Sequence, residues 1–521
     1  MALLPLLGVL FSLAIAQSQR VLSLEGGSQY DPSPSRASSN ANLIFNAIHS
    51  SLRQWGSSVQ HNGMSFFPAI VPEGTLLYHG SWDAEPVTGF EWLAFEIQHA
   101  ELFAQGHPMH SRSKTRYPRN MAWEWASESG VNRGDDDDEW NPGYIHIYQT
   151  SRPLKLLYVD GMSAAKCDFG PMDSQDLLLL NTTLDWYREW ERANRLCQLA
   201  VEWDIEGFIR MEAGFEIIKC NFSTGLHEIA VNKKPARNNS EADGQWSLFE
   251  YVREVSQRYH GNMAGRILLD WSSMVSAFFY PTNLSNPDKA SRDPRLSSAG
   301  SDQLMRIRSD IRTSLRNSKE VLHIQWQNVV DMIVARYSDR LQHLATDPPP
   351  KEFLSVLNNI LNVYTNYEDP DSVANSIQTC SLHYLQSVTP STEQDHLILS
   401  ALKTVTKRIC ETLFDARELL IWPRANPEVQ LVSSLVGKIQ ELNEWLDWPE
   451  WKFCADCGYE QVCFISMFPF GSTEDHFHPR CKDREEVNNG SIGGDCYFCP
   501  KRPRGPREGM GDQKVNLRLG F

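Results

Sequence analysis

The chain has 521 residues, 41% hydrophobic and 22% charged, a globular balance that excludes a disordered or fibrous protein and predicts two or three domains. Its formal net charge of −16 and pI of about 5.4 make it repel phosphate backbones, so no nucleic-acid partner is predicted.

Leu3–Ala16 is an apolar run ending in Ala14-Ile15-Ala16, the small-residue pattern of a cleaved signal peptide over residues 1–16. The basic flank of such a peptide is missing. The run is too short to span a bilayer, and no later stretch reaches 18 apolar residues, so no transmembrane segment is predicted. A secreted, extracellular chain follows. Five Asn-x-Ser/Thr sequons agree, at Asn181, Asn221, Asn238, Asn283 and Asn489, and predict a glycoprotein. So do the 11 cysteines, which oxidise in that compartment; the odd count leaves at least one thiol free or paired between chains.

Residues 17–40, rich in Ser, Gln, Gly and Pro, read as a flexible leader. Ala41–Trp55 carries Leu43, Ile44, Ala47, Ile48, Leu52 and Trp55 at helical spacing. Leu76–Tyr78 is a buried strand ending on His79-Gly80-Ser81, where glycine lets a ligand come close to the backbone. Trp92–Phe95 gives a second strand, and Ile97, Ala100, Phe103 and Ala104 a helix. Gly106–Asn141 is a long polar loop holding Met121–Trp125 and the acidic run Asp135–Asp138. That run lacks the alternating acids and glycine turn of a calcium loop and reads as a solvated segment. Gly143–Tyr148 and Leu154–Gly161 are strands, the second more buried. Leu184–Glu202 is an amphipathic helix, and Asp204–Ile209 and Gly214–Ile218 are two short strands. An α+β domain therefore covers 41–245.

From Leu248, Phe249, Val252, Val255 and Tyr259 the apolar spacing becomes three and four. Leu304–Leu344 is helical with a break near Asn317, and Phe353–Tyr364 continues the pattern. Ser391 and Gln394 form a capping box ahead of Leu397–Leu420, and Pro423 and Pro427 divide that helix from Val429–Trp445. This is an all-α helical domain over 246–450. Residues 451–500 form a small C-terminal cysteine-rich module, with Cys454, Cys457, Cys463, Cys481, Cys496 and Cys499 around His476-Phe477-His478. Two Cys-x2-Cys pairs can ligate zinc. With a signal peptide ahead of them, three disulfides and no metal are predicted instead, in a pairing the sequence does not choose. Residues 501–521 read as a disordered basic tail.

Tyr78-His79-Gly80-Ser81, then Trp92-Leu93-Ala94-Phe95 with Ala100, Phe103 and Ala104, then Asp204-x-Glu206-Gly207 and Gly214–Ile218, resemble the ADP-ribosyltransferase fold over residues 75–220. The resemblance implies an ADP-ribosyltransferase-like domain with NAD as cofactor. Tyr78, Gly80 and Ser81 would help bind it, His79 would hydrogen-bond its ribose, and Trp92 or Phe95 would stack on nicotinamide. Glu216 would be the catalytic carboxylate. The chemistry is coherent: breaking the nicotinamide–ribose bond builds positive charge that a carboxylate stabilises, and an aromatic face suits a cationic ring. The paired Glu-x-Glu of arginine-modifying members is absent, since Glu212 and Glu216 are four apart. The whole chain also resembles uncharacterised secreted fungal proteins, which implies no activity.

Two readings follow. One is a secreted glycoprotein whose ADP-ribosyltransferase-like domain is degenerate and binds an extracellular protein. The alternative is an active secreted NAD-dependent ADP-ribosyltransferase or NAD glycohydrolase, a toxin or effector. They part on whether His79, an aromatic ring and Glu216 converge on one cleft.

Overall fold

The computed structural model describes residues 28–60, 63–104, 143–165, 172–185, 188–234, 241–256, 258, 261, 265–287, 293–318, 324–368, 372–421, 429–454, 456–467 and 471–490. The expected signal peptide, the loop 106–141, the basic tail, Asn238, Cys496 and Cys499 lie outside these residues.

The first described helix lies inside the stretch expected to be a flexible leader. Helix α1 (Pro34–Ser39) has proline in its first turn, where no N–H donor is needed, and Ser33 Oγ accepts from Arg36 N. The Ser/Pro composition that reads as a leader is here a helix start. Helices α2 (Ala41–Ser50) and α3 (Gln54–Val59) follow, divided at Leu52, whose φ is 58°.

One sheet dominates the α+β part. Its strands are β1 (Ser65–Val71), β2 (Leu76–Ser81), β3 (Glu91–Ala94), β4 (Tyr144–Thr150) and β5 (Leu154–Val159). They continue with β6 (Gly207–Met211), β7 (Phe215–Lys219), β8 (Leu226–Lys233), β9 (Leu268–Leu269) and β10 (Val275–Ser276). The order is β10-β1-β5-β6-β7-β3-β2-β4-β8, with β9 also on β1. Only β5 and β6 run parallel among these pairs. The chain between them carries the π-helical turn Asp176–Leu180 and helix α5 (Glu189–Trp203), because parallel neighbours need a long crossover. Strand β1 is almost wholly buried although Pro68 sits inside it, which argues against a strand in sequence. Edge strand β8 alternates, and His227 and Glu228 keep it polar. The short helix α4 (Ile97–Glu101) lies across β2.

Helix α6 (Glu241–Ser256) leads to the helical part: α7 (Ser301–Asn317), α8 (Trp326–Leu344), α9 (Pro350–Leu361), α10 (Ser372–Leu382), α11 (Glu393–Ile421) and α12 (Val429–Leu446). The break near Asn317 is present. The boundary expected at 246 is not a clean break, since β9 and β10 pair with β1, and α1 and α2 pack on α11. The capping box of α11 is shifted by one residue from the expected Ser391/Gln394. Thr392 Oγ1 accepts from Asp395 N, and Asp395 Oδ2 accepts from the N–H groups of Ser391 and Thr392. The sequence offers both hydroxyls. Burial selects Asp395, whose Oδ1 also accepts from Ser272 and the Trp326 indole.

Four disulfides are present among the described residues. Cys197–Cys220 ties α5 to the end of β7, and Cys380–Cys410 ties α10 to α11. In the C-terminal module, Cys454–Cys463 and Cys457–Cys481 tie the segment ahead of the hairpin to β11 (Gln461–Phe464) and β12 (Arg480–Asp483), with Cα separations of 5.6 and 5.5 Å. Cys454, Cys457 and Cys481 lie close enough to hold a metal, but disulfides already use their sulfurs, leaving no thiolate ligand. No described helix is long and apolar enough to cross a membrane.

Candidate functional site

The register of the central strands decides which residues can meet. Tyr78 pairs with Ala94, Ala94 with Glu216, and Glu216 with Arg210. Paired residues share a sheet face and successive residues alternate. Tyr78, Trp92, Glu216 and Arg210 therefore occupy one face. His79, paired with His146, occupies the other. Strand β3 also separates β2 from β7. The single cleft expected to receive both His79 and Glu216 is not formed.

On the first face Glu216 belongs to a buried charge network. Arg210 donates to Glu216 Oε1 through Nη2 at 2.6 Å and Nε at 3.1 Å, and Nη2 also bonds Glu189. Arg192 holds the other Glu189 oxygen at 2.8 Å and both Asp176 oxygens at 2.8 and 2.9 Å. Both guanidiniums are fully buried and Glu216 is 6% exposed. Burial pulls the Arg210 pKa down, but Glu189 and Glu216 outweigh it and hold the group protonated. Two formal cations thus face three carboxylates. Trp92 packs on Trp190, ring centroids 4.8 Å apart, and on Phe90. Phe95 is buried, with its carbonyl accepting from Arg266. Gly80 is approached not by a ligand but by α4. A Cβ there would stand 2.0 Å from the Ala100 carbonyl oxygen.

The second face gathers titratable groups around His79. Its Nδ1 donates to the Trp92 carbonyl at 2.8 Å, and burial pushes its pKa down to about 4, so the imidazole is neutral near pH 7. His146 lies alongside, with Nδ1 2.7 Å from Glu228 Oε1 and Nε2 2.8 Å from the Asp83 carbonyl. Tyr148 and Phe222 close the group, with centroids 5.3 Å apart. Glu91 shares this face, and burial pushes its pKa up to about 8. A neutral imidazole and a carboxyl with a raised pKa thus lie on one sheet face, and perturbed groups of this kind cluster at functional sites. Ser81 is on the same face and half-buried.

Of the residues singled out in sequence, only His79 and Ser81 belong to this cluster. His146, Glu228, Glu91 and Phe222 were missed. Period-two spacing from Tyr144 to Tyr148 could have put His146 and Tyr148 on one face, but Glu228 arrives only through the β4–β8 register. The sequon residues Asn181, Asn221 and Asn283 are exposed.

A family model described as the YPL277C N-terminal domain matches residues 36–150 and 141–242. The chain is 26% identical over 537 residues to the uncharacterized protein YOR389W of Saccharomyces cerevisiae, covering 84% of each chain. It is 36% identical over 208 residues to the uncharacterized protein YPL277C of the same yeast, covering 36% of this chain and 42% of the relative. These similarities support an uncharacterised fungal family. No solved structure matches.

Proposed function

We propose that the chain is a secreted, disulfide-stapled glycoprotein whose α+β part binds an extracellular protein and does not turn over NAD. The observation that carries this reading is the separation of His79 and Glu216 onto opposite sheet faces. A carboxylate that stabilises a cationic sugar has to face it across an open site. Glu216 instead lies buried against Arg210. The binding surface is edge strand β8, where half-buried Glu228 is held by His146 from the buried cluster around His79. The four disulfides support an oxidising compartment, the apolar run Leu3–Ala16 supports export, and the exposed sequons support glycosylation.

The test uses protein collected from the medium of expressing cells. Intact-mass analysis should find residues 1–16 missing and glycan attached. Incubation with NAD should release no nicotinamide above the uncatalysed rate. Nicotinamide release that disappears in His79→Gln would overturn the binding reading and restore the enzyme one.

A further inference from the structure

A cavity of about 170 Å³ opens where the α2–α3 corner meets the segment after α12. It is lined by His49, Arg53, Trp55, Gly56, Pro449, Glu450 and Phe453. Its polar wall is rigid. His49 is 3% exposed, with Nδ1 2.9 Å from Asp331 Oδ1 and Nε2 2.5 Å from Glu450 Oε1. Both oxygens are acceptors, which favours the doubly protonated ring although Arg53 Nη1 also lies 3.0 Å from Nδ1. Arg53 grips Asp331 with two bonds, 2.9 and 2.6 Å. Glu450 gives one oxygen to His49. Its buried Oε2 has no partner on another residue among the described residues.

These facts narrow the occupant. The two cations, His49 and Arg53, formally balance the two anions, Asp331 and Glu450, so neither a cation nor an anion is favoured. The volume is below the roughly 300–1,000 Å³ of pockets for drug-sized ligands, so a dinucleotide is too large. The remaining wall is apolar and aromatic. Trp55 and Phe453 meet edge to face, 5.1 Å between centroids, beside Pro449. The Trp55 indole N–H is bonded to the Pro449 carbonyl at 2.9 Å, so the indole offers the cavity its ring and not its donor. A neutral ring with one C–H face and several hydroxyls fits both walls. Its C–H face lies on the aromatic rings, and its hydroxyls donate to the accessible part of the Glu450 side chain, which is 31% exposed. We propose that this cavity binds one sugar residue, free or as the end of a glycan.

The full secreted chain, its own glycans trimmed, is titrated with D-glucose, D-mannose, D-galactose and N-acetyl-D-glucosamine, read by saturation-transfer NMR. Immobilised oligosaccharides ending in the same sugars form a second arm. At least one sugar should bind. Phe453→Ala, at a partly exposed position, should weaken it severalfold, and Glu450→Gln about tenfold by removing a charged acceptor. Thermal melts show whether each variant is folded, and Phe453→Trp should retain binding if Phe453→Ala loses it. Binding to the free sugar alone assigns a monosaccharide, and binding to the chain ends assigns a glycan; both support the site. No binding in either arm, or binding unchanged in folded Phe453→Ala and Glu450→Gln, overturns it.

Discussion

Arg210 shows why strands were easier to read than the site built on them. Asp204–Ile209 and Gly214–Ile218 announce themselves as strands by their apolar residues, within three residues of the observed Gly207–Met211 and Phe215–Lys219. That Arg210 then faces Glu216 depends on the β6–β7 register, and Glu189 reaches it only from helix α5. In sequence Glu216 is a carboxylate open to any role; in the fold it is half of a buried pair. Glu216→Gln is therefore not silent for folding. Leaving buried Arg210 with one counter-charge fewer should cost on the order of 3 kcal/mol, near the low end for breaking a buried pair, measured by urea unfolding. The buried histidines give opposite pH signatures. Burial lowers the His49 pKa, but Asp331 and Glu450 raise it above its ordinary value of 6.5. Its contribution is complete below pH 6.5 and lost as pH rises through the raised value. The stability gap between wild type and His49→Gln should be widest in acid and narrow in alkali. His79, lowered to about 4, acts in the reverse sense: its contribution is complete above 6.5 and lost as pH falls toward 4.

At the scale of elements, a turn signal and a packing signal can look identical. The glycine after His79 suggested room for a ligand, yet it is α4 that occupies the room. The obstacle to a Cβ at position 80 is main chain, which cannot rotate aside, so α4 itself would have to move. Gly80→Ala should destabilise by about 3 kcal/mol, the upper part of the overpacking range, as a lower melting temperature. The start of α11 carries a similar lesson. Capping chemistry was legible to within one residue, because Ser391 and Thr392 are both competent. The choice rests with Ser272 and Trp326, which come from distant parts of the chain. Asp395→Ala removes the cap and leaves those buried donors unmet. It should cost about 2–4 kcal/mol, more than a cap alone, by chemical denaturation.

For the molecule as a whole, a mixture of sheet and many helices was legible, because the periods two and 3.6 differ so plainly, but the stretch 246–450 expected to be all-α also holds β9 and β10. The mutual dependence of sheet and helices was not legible. Helix α2 reads as amphipathic, but it is buried nearly all round, including Asn46, His49 and Ser50, as befits a helix between two layers. Its outer side meets the far end of the helical part. Phe45 stacks on Trp448 at 5.6 Å, Asn46 donates to the Leu446 carbonyl, and Trp55 donates to that of Pro449. At the same time β1, second from one edge of the sheet, takes β9 and β10 from beyond residue 246. Cutting at that boundary would expose Phe45, Ile44 and Ile48 and strip one side of β1. Each large apolar side chain re-exposed costs about 1.5–3 kcal/mol, so these three alone are comparable to a typical domain's net stability of about 5–15 kcal/mol. Residues 41–245 expressed alone should therefore give no cooperative melt and poor NMR dispersion, whereas residues 28–490 should unfold cooperatively. A folded, cooperatively melting 41–245 fragment would show that the sheet does not need its later strands.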